Sequence, residues 1–412
     1  MDIIHGVNDS LPRQIAQNLR QCLRTMPAVV LTGARQTGKS TLAGELTPPR
    51  RRYVSLDDLD ALDAARHDPT ALVGGEAPVT LDEVQRAPDL LAAVKQEIDR
   101  RRRPGQFLLT GSANLLLMRQ VAETLAGRAS YLSLWPMSRR EQLGLGVCGV
   151  WEQLLAAPDA EWADIVTQST EAGPEGWQAL AQRGGFPVPA VHLGTDEERA
   201  VWFDGYVRTY LERDLPQLSS LSALPDFRRL MRAACQRIGQ TVNQTELGRD
   251  VALPQATVHR YLNLLETSCL LVRVPAYAVN RTKRLMKAPK LYWSDTGIAM
   301  HLAGGEPTGA WLENLVLNDL LVWRDARLAR TEILHWRTVA GEEVDFVIET
   351  QDGLLPIEIK ASRRPGLGDI RHLRTFHAEY PGQTRAGLLL HTGGTTEWLA
   401  PNVLATPWWQ VV

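Results

Sequence analysis

Eight residues, Gly33-Ala34-Arg35-Gln36-Thr37-Gly38-Lys39-Ser40, constrain this chain more than any other stretch. They fit GxxxxGK[ST], follow the apolar run Ala28-Val29-Val30-Leu31 and head a helix-forming segment. Glycines let successive backbone N–H groups curl around phosphate, and the helix that follows adds the positive end of its dipole. A strand, a phosphate loop and a helix must therefore come in that order, which commits the region to an α/β layer. In such a loop residues 33 to 41, through Thr41, enclose the phosphates of ATP. Lys39 reaches the β and γ phosphates, and the Ser40 hydroxyl ligates Mg²⁺. Only six of the 45 basic residues are lysines, so a lysine inside a motif carries weight.

The flanking pattern agrees. Short apolar runs at 28–32, 52–55, 79–82, 107–110 and 131–134 alternate with helical stretches at 39–46, 57–67 and 88–103. That alternation predicts a largely parallel sheet with helices on both faces over residues 1–140. The run Pro78-Val79-Thr80-Leu81-Asp82-Glu83 ends in adjacent acids, which alternation sends to different sides of the strand end. Asp82 is then placed to hold the Mg²⁺ shell and Glu83 to orient or deprotonate an attacking water, a pairing that implies hydrolysis. Thr110 or Ser112, at the tip of the next strand, can sense the γ-phosphate. Arg128 is a candidate arginine finger, in its own chain or from a neighbouring subunit.

Charge is unevenly spread. The net −2 resolves into +4 over 1–140, −10 over 141–227, +9 over 228–290 and −5 over 291–412. Residues 141–227 read as an acidic, mostly helical segment with a break at Gly184-Gly185-Phe186-Pro187. In the basic stretch, 245–251 and 255–266 read as helix, tight turn, helix, with Leu247, Val251, Val258, Tyr261, Leu262 and Leu265 on a shared apolar face. Runs at 270–274 and 290–293, joined through Asn280-Arg281-Thr282-Lys283-Arg284, complete a winged-helix module over 228–293. Its excess charge favours a nucleic-acid backbone as partner, with protein docking or pairing against the acidic 141–227 segment as the alternatives.

Beyond residue 294 a helix at 311–324 precedes strands at 332–336, 344–349 and 354–360. Two of them carry charges where alternation would bury them. Asp345 and the pair Glu358/Lys360 form a D…ExK set, in which Asp345 and Glu358 ligate Mg²⁺ and Lys360 positions water, with Glu313 as a further acid. An internal Glu/Lys ion pair explains the same residues.

Taken with GARQTGKS, LDEVQ at 81–85, LLTGSAN at 108–114, LAGR at 125–128, GGFP at 184–187, YVRTYLERDL at 206–215, NRTKRLMKAPKLYWSDTG at 280–297, VDFVIE and PIEIKAS, the chain resembles one family over nearly its full length. That family is the bacterial and archaeal AAA-type ATPases that carry a winged helix and a C-terminal domain with restriction-endonuclease-like topology. The resemblance implies a P-loop NTPase fold, ATP binding and assembly into a homo-oligomer. It leaves Arg128, Arg208 and Arg213 equally placed in matching motifs for a finger.

The four cysteines, Cys22, Cys148, Cys235 and Cys269, lack CxxC spacing and fit a reducing compartment. With no apolar run of membrane-spanning length, the expectation is a cytoplasmic protein without a membrane partner. Three functions remain open at this stage: an ATPase acting on nucleic acid, an ATP-gated nuclease, and an ATP-dependent regulator or toxin-like protein that docks to another protein.

Overall fold

Strands β1 (Ala28–Thr32), β3 (Val79–Asp82) and β4 (Phe107–Thr110) are buried along their whole length, as strands covered on both faces must be. In the computed structural model, which describes residues 10–46, 51–111, 123–147, 149–169, 173–210 and 224–412, they join β2 (Arg52–Ser55) and β5 (Ala129–Ser133) in one parallel sheet of order β2-β3-β4-β1-β5. Alternation along β1 sends Val29 and Leu31 to one layer and Ala28 and Val30 to the other. The first pair packs with Ile15 and Leu19 beside helix Ala16–Thr25, a helix the sequence pattern did not single out. The second packs with Leu91, Val94 and Ile98 of helix Leu90–Arg100.

After β5 the chain turns helical. Ser138 and Thr195 each start a helix with a reciprocal capping box, to Glu141 and Glu198 respectively. Helices Trp151–Ala156, Trp162–Gln168, Trp177–Arg183 and Asp196–Thr209 bury one aromatic-rich face. Helix Leu224–Cys235 precedes Gln244–Asp250 and Gln255–Thr267, which are joined by a turn with Ala252 at φ 53°. An antiparallel ribbon of β6 (Leu271–Val274) and β7 (Lys290–Trp293) follows, and its connection holds helix Arg281–Met286.

The second sheet is mixed: β8 (Glu332–Arg337), β9 (Glu343–Thr350), β10 (Gly353–Lys360), β11 (Gly387–His391), β12 (Glu397–Ala400) and β13 (Val403–Pro407), in order β12-β13-β11-β10-β9-β8. Helix Gly309–Ala326 packs on one face, where one continuous core runs from Ala34 through the helices to Ile357 and Leu388. Helix Arg371–Glu379 covers the other through Leu373 and Phe376.

Most ion pairs of the basic stretch lie outside the acidic one. Arg237 binds Glu246 and Asp250, and Arg273 binds Glu266, all inside 228–290. Arg284 is buried against Glu332 and Glu349 of the second sheet, at 3.0 and 2.5 Å. Arg229 binds Asp226 at 2.7 Å, a pair within one helix at the border of the two stretches. The segment that joins the two ribbon strands is itself a helix, with Arg284 turned inward.

Two buried carboxylates tie the layers together. Asp295, at the head of helix Thr296–Ala303, accepts hydrogen bonds from the amides of Ile298 (2.8 Å), Gly185 (2.5 Å) and Phe186 (3.2 Å), and burial pushes its pKa up to about 6. Asp319, inside helix Gly309–Ala326, accepts from the Trp151 indole at 2.7 Å, and burial likewise pushes it up to about 6. A raised carboxyl pKa favours the folded state below the ordinary aspartate value, and that contribution is lost as pH rises through 6. Asp319→Asn keeps an acceptor for Trp151 and removes the charge. Its stability relative to the parent should therefore improve between pH 4 and 6 and level off above, by about 2–3 kcal/mol at most, measured by urea denaturation across that range.

Candidate functional site

The loop after β1 owes its shape to its glycines. Gly33 sits at φ 148°, and a Cβ there would lie 2.3 Å from the carbonyl oxygen of Leu134. Gln36 (φ 59°) and Gly38 (φ 92°) are also left-handed, and Gly38 caps helix Lys39–Glu45. The Lys39 side chain is buried inside the loop, with Nζ donating to the carbonyls of Ala34 (2.7 Å) and Gly33 (3.2 Å). Burial draws its pKa down to about 8 against the opposing pull of Glu83. Thr37 Oγ1 donates to Ala34 O, and the Arg13 guanidinium clamps Thr37 O (2.7 Å) and Trp135 O (2.6 Å) from outside.

The order β3-β4-β1 sets Asp82, Thr110 and the loop side by side at the carboxyl edge of the sheet, where ligands bind in open α/β sheets. Asp82 is buried and collects three hydroxyls: Ser40 at 3.1 Å, Tyr53 at 2.8 Å, and Thr110. Glu83 follows in the left-handed region (φ 58°), strained backbone of the kind that gathers at functional sites, and accepts from the Gln85 amide. Strand alternation ends at Asp82, so the direction of Glu83 is set by its left-handed backbone. Tyr53 was not anticipated; it stands opposite Thr80 in the parallel β2/β3 pairing, and its hydroxyl reaches Asp82 through a register that only the folded sheet supplies.

Two later segments roof the loop. The turn at 184–187 carries Pro187 to within 3.9 Å of where a Gly38 Cβ would stand, and Asp295 fixes that turn. Leu11, Thr41, Leu42, Met137, Pro187 and Val191 line a mainly apolar slot of about 140 Å³ beside the helix start. Thr41 faces this slot. Helix Asp196–Thr209 lies over the other side, where Tyr206 OH donates to Arg35 O at 3.5 Å and Trp202, Tyr206 and Gln36 line a space of about 270 Å³. Tyr210 OH continues to Ser268 Oγ (3.0 Å), at the end of helix Gln255–Thr267.

The C-terminal acids are assembled differently from the expectation. Lys290, on β7, is buried and its Nζ lies 2.8 Å from Glu313, 2.5 Å from Glu343 and 3.1 Å from Asp345, while Tyr292 OH also donates to Glu313. Asp345 accepts from the Ile359 amide at 2.9 Å. Glu358 is paired with Lys360 at 2.6 Å, and its Oε2 has no partner. Burial, with Asp345 nearby, holds the Glu358 carboxyl well above its usual range. Among the described residues no group of three or more His, Cys, Asp or Glu side chains is placed to hold a metal ion. An ammonium stands among Glu313, Glu343 and Asp345, and a second one, Lys360, against Glu358. Lys290 stands on a strand of the ribbon, as expected, but its charge is turned inward, because Lys290–Trp293 is buried along its whole length.

An AAA domain model matches residues 25–143, and two domains of unknown function, DUF8612 and DUF4143, match residues 174–309 and 308–411. The uncharacterized proteins Rv2008c of Mycobacterium tuberculosis and Mb2031c of Mycobacterium bovis are each 31% identical over 419 residues, covering 94% of this chain and 86% of theirs. The chain belongs to their family. Among solved structures it is similar to the Walker-type ATPase PABY2304 of Pyrococcus abyssi, with 17% identity, a TM-score of 0.41, and coverage of 71% of this chain and 99% of that one.

Within the AAA domain Arg128 is misplaced for a finger on its own loop. Its carbonyl accepts from Ala28 N at the start of β1, so it lies at the opposite edge of the sheet from Lys39, about 16 Å away along a five-residue strand. Its guanidinium is bound to Asp99 at 2.6 and 2.9 Å. Arg208 lies on helix Asp196–Thr209, whereas Ser112 and Arg213 lie outside the described residues. No helix among the described residues is long and apolar enough to cross a membrane.

The loop geometry itself is testable. Gly33→Ala should destabilise the AAA domain by on the order of 2 kcal/mol, since the added Cβ meets a backbone oxygen and the φ is disfavoured. A thermal melt that matches the parent would contradict this geometry.

Proposed function

We propose that the AAA domain binds ATP with Mg²⁺ at the loop 33–40 and hydrolyses it. The observation that carries this reading is the convergence of Ser40, Thr110 and Tyr53 hydroxyls on buried Asp82, next to a lysine whose ammonium, among the described residues, binds loop carbonyls alone. A carboxylate and a hydroxyl so placed fit the oxygen ligands that magnesium takes. When bound, Mg²⁺ would draw negative charge from the phosphate oxygens. Lys39 exchanges its carbonyl acceptors for the β and γ phosphates, and the amides of Arg35 to Ser40 face the phosphate chain. Thr110 keeps Asp82 oriented. Glu83 takes the proton of the attacking water, for which it must part from Gln85. The slot beside Thr41 and Leu42 accepts the base. Glu83→Gln should retain ATP in calorimetry while turnover falls about 100-fold or more; hydrolysis at the parental rate would remove Glu83 from this role.

We read the helix-turn-helix and ribbon as a winged helix that answers to the nucleotide through Tyr206 and Tyr210, and nucleic acid as its partner. The support is narrower than the net charge suggests, because Arg284, Lys290, Arg273 and Arg237 are held by acids within the chain. Arg281, Lys283 and Lys287 stay exposed on the connecting helix and its end, and fit a phosphate backbone. Duplex DNA should raise the ATPase rate in a salt-sensitive way, and R281E/K283E/K287E should abolish that rise without changing the basal rate. A rate indifferent to DNA and RNA alike would favour a protein partner. The second sheet we read as an endonuclease-like scaffold, in which Lys290 neutralises Glu313, Glu343 and Asp345 and Lys360 pairs with Glu358.

A further inference from the structure

Helix Asp196–Thr209 has a second working side. Trp202 and Tyr206 lie over the phosphate loop, and Asp204 and Arg208, two residues further on, project from the opposite side of the helix. There helices Leu224–Cys235 and Thr296–Ala303 meet it around an open cleft of about 460 Å³. Arg208, Arg228, Arg232 and His301 line this cleft, together with one acid, Asp204, which His301 already engages at 3.0 Å. Arg228 and Arg232 are four residues apart on one helix, so their like charges repel. Neither has an acidic partner among the described residues. Their neighbours do: Arg229 binds Asp226 at 2.7 Å, and Arg237 binds Glu246 and Asp250. The cleft thus concentrates positive charge of the kind that acids neutralise at Arg229 on the same helix and at Arg237 just beyond it.

We propose that this cleft is a binding site for a phosphate-bearing ligand, anchored by Arg228 and Arg232. Guanidinium groups converging from a helix face match phosphate oxygens through paired, charge-assisted hydrogen bonds, and an anion between them removes their repulsion. The cleft is large enough for an oligophosphate, whether free or part of a nucleic-acid strand. The site is independent of the ATPase reading, because no residue of the phosphate loop lines it.

The test uses full-length protein carrying Lys39→Ala, so that the loop does not compete, titrated with inorganic pyrophosphate in a calorimeter. Binding should persist in that background and weaken at least about tenfold when R228E/R232E is added, the equivalent of one lost charge-assisted hydrogen bond. Should the reversal lower the melting temperature, R228Q/R232Q supplies the same comparison. With Lys39 intact, R228E/R232E should leave basal ATP turnover unchanged, which separates failure of this site from failure of the loop. A short single-stranded oligonucleotide that displaces pyrophosphate would assign the ligand to a nucleic-acid backbone, and one that does not would assign it to a free oligophosphate; both support the site. No pyrophosphate binding in the Lys39→Ala background, or binding equally tight with and without Arg228 and Arg232, overturns it.

Discussion

A buried ammonium that meets only carbonyl oxygens is costly, and the region around Lys39 is organised to make that cost tolerable. Removing a lysine from water disfavours its charged form, which is why burial lowers its pKa to about 8. Two loop carbonyls answer the ammonium, but only because Gly33 and Gly38 hold the backbone in conformations other residues resist. The loop cannot relax outward, since Leu134 presses on Gly33, Arg13 ties Thr37 to Trp135, and Tyr206 reaches the carbonyl of Arg35. Each of these restraints comes from a different stretch of chain, so the loop's conformation depends on the helical segment as much as on its own sheet.

Asp295 extends that dependence further. Its carboxylate caps helix Thr296–Ala303 and at the same time fixes the turn that carries Pro187 toward Gly38. Gly184, at φ 68°, leaves no room for a side chain there, because a Cβ would lie 2.7 Å from the Asp295 oxygens. The motifs at 184–187 and 294–297, more than a hundred residues apart, are thus two halves of one hydrogen-bonded unit. A ligand that moves the loop must load this unit, Tyr206, or both, and through Tyr210 and Ser268 the load reaches the helix-turn-helix.

Features whose cause is local were legible in the sequence. The phosphate loop, the acids at the end of β3 and the helix-turn-helix lie within short windows whose spacing dictates the geometry, and the strands and helices around them fall close to the expected positions. Features whose cause is long-range were not. Nothing within 280–290 tells which acids Arg284 and Lys290 will meet, because those acids come from residues 313 to 349, and the ribbon therefore looked far more basic than its surface is. Arg128 sits in a suggestive motif, but the strand it precedes runs parallel to β1, and that alone carries it to the wrong edge. The last strands, β11 to β13, went unread because a buried run such as Gly387–His391 lacks the alternation that marks a half-exposed strand.

Two buried lysines show how the same residue type takes opposite roles. Lys290 lies within 3.1 Å of three carboxylates, so burial is more than compensated and its pKa is held well above the usual value. Such an ammonium is saturated: displacing it would strand several acids together in a low-dielectric interior. It locks ribbon, helix and sheet, and an incoming cation would have to compete with a charge already in place. Lys39 has no carboxylate within ion-pairing distance among the described residues, and burial outweighs the more distant pull of Glu83 and lowers its pKa to about 8. Its field is therefore uncompensated, and an anion of several charges is the partner that relieves it most. The two sites were equally charged in the sequence; what separates them is how many acids the fold delivers to each lysine.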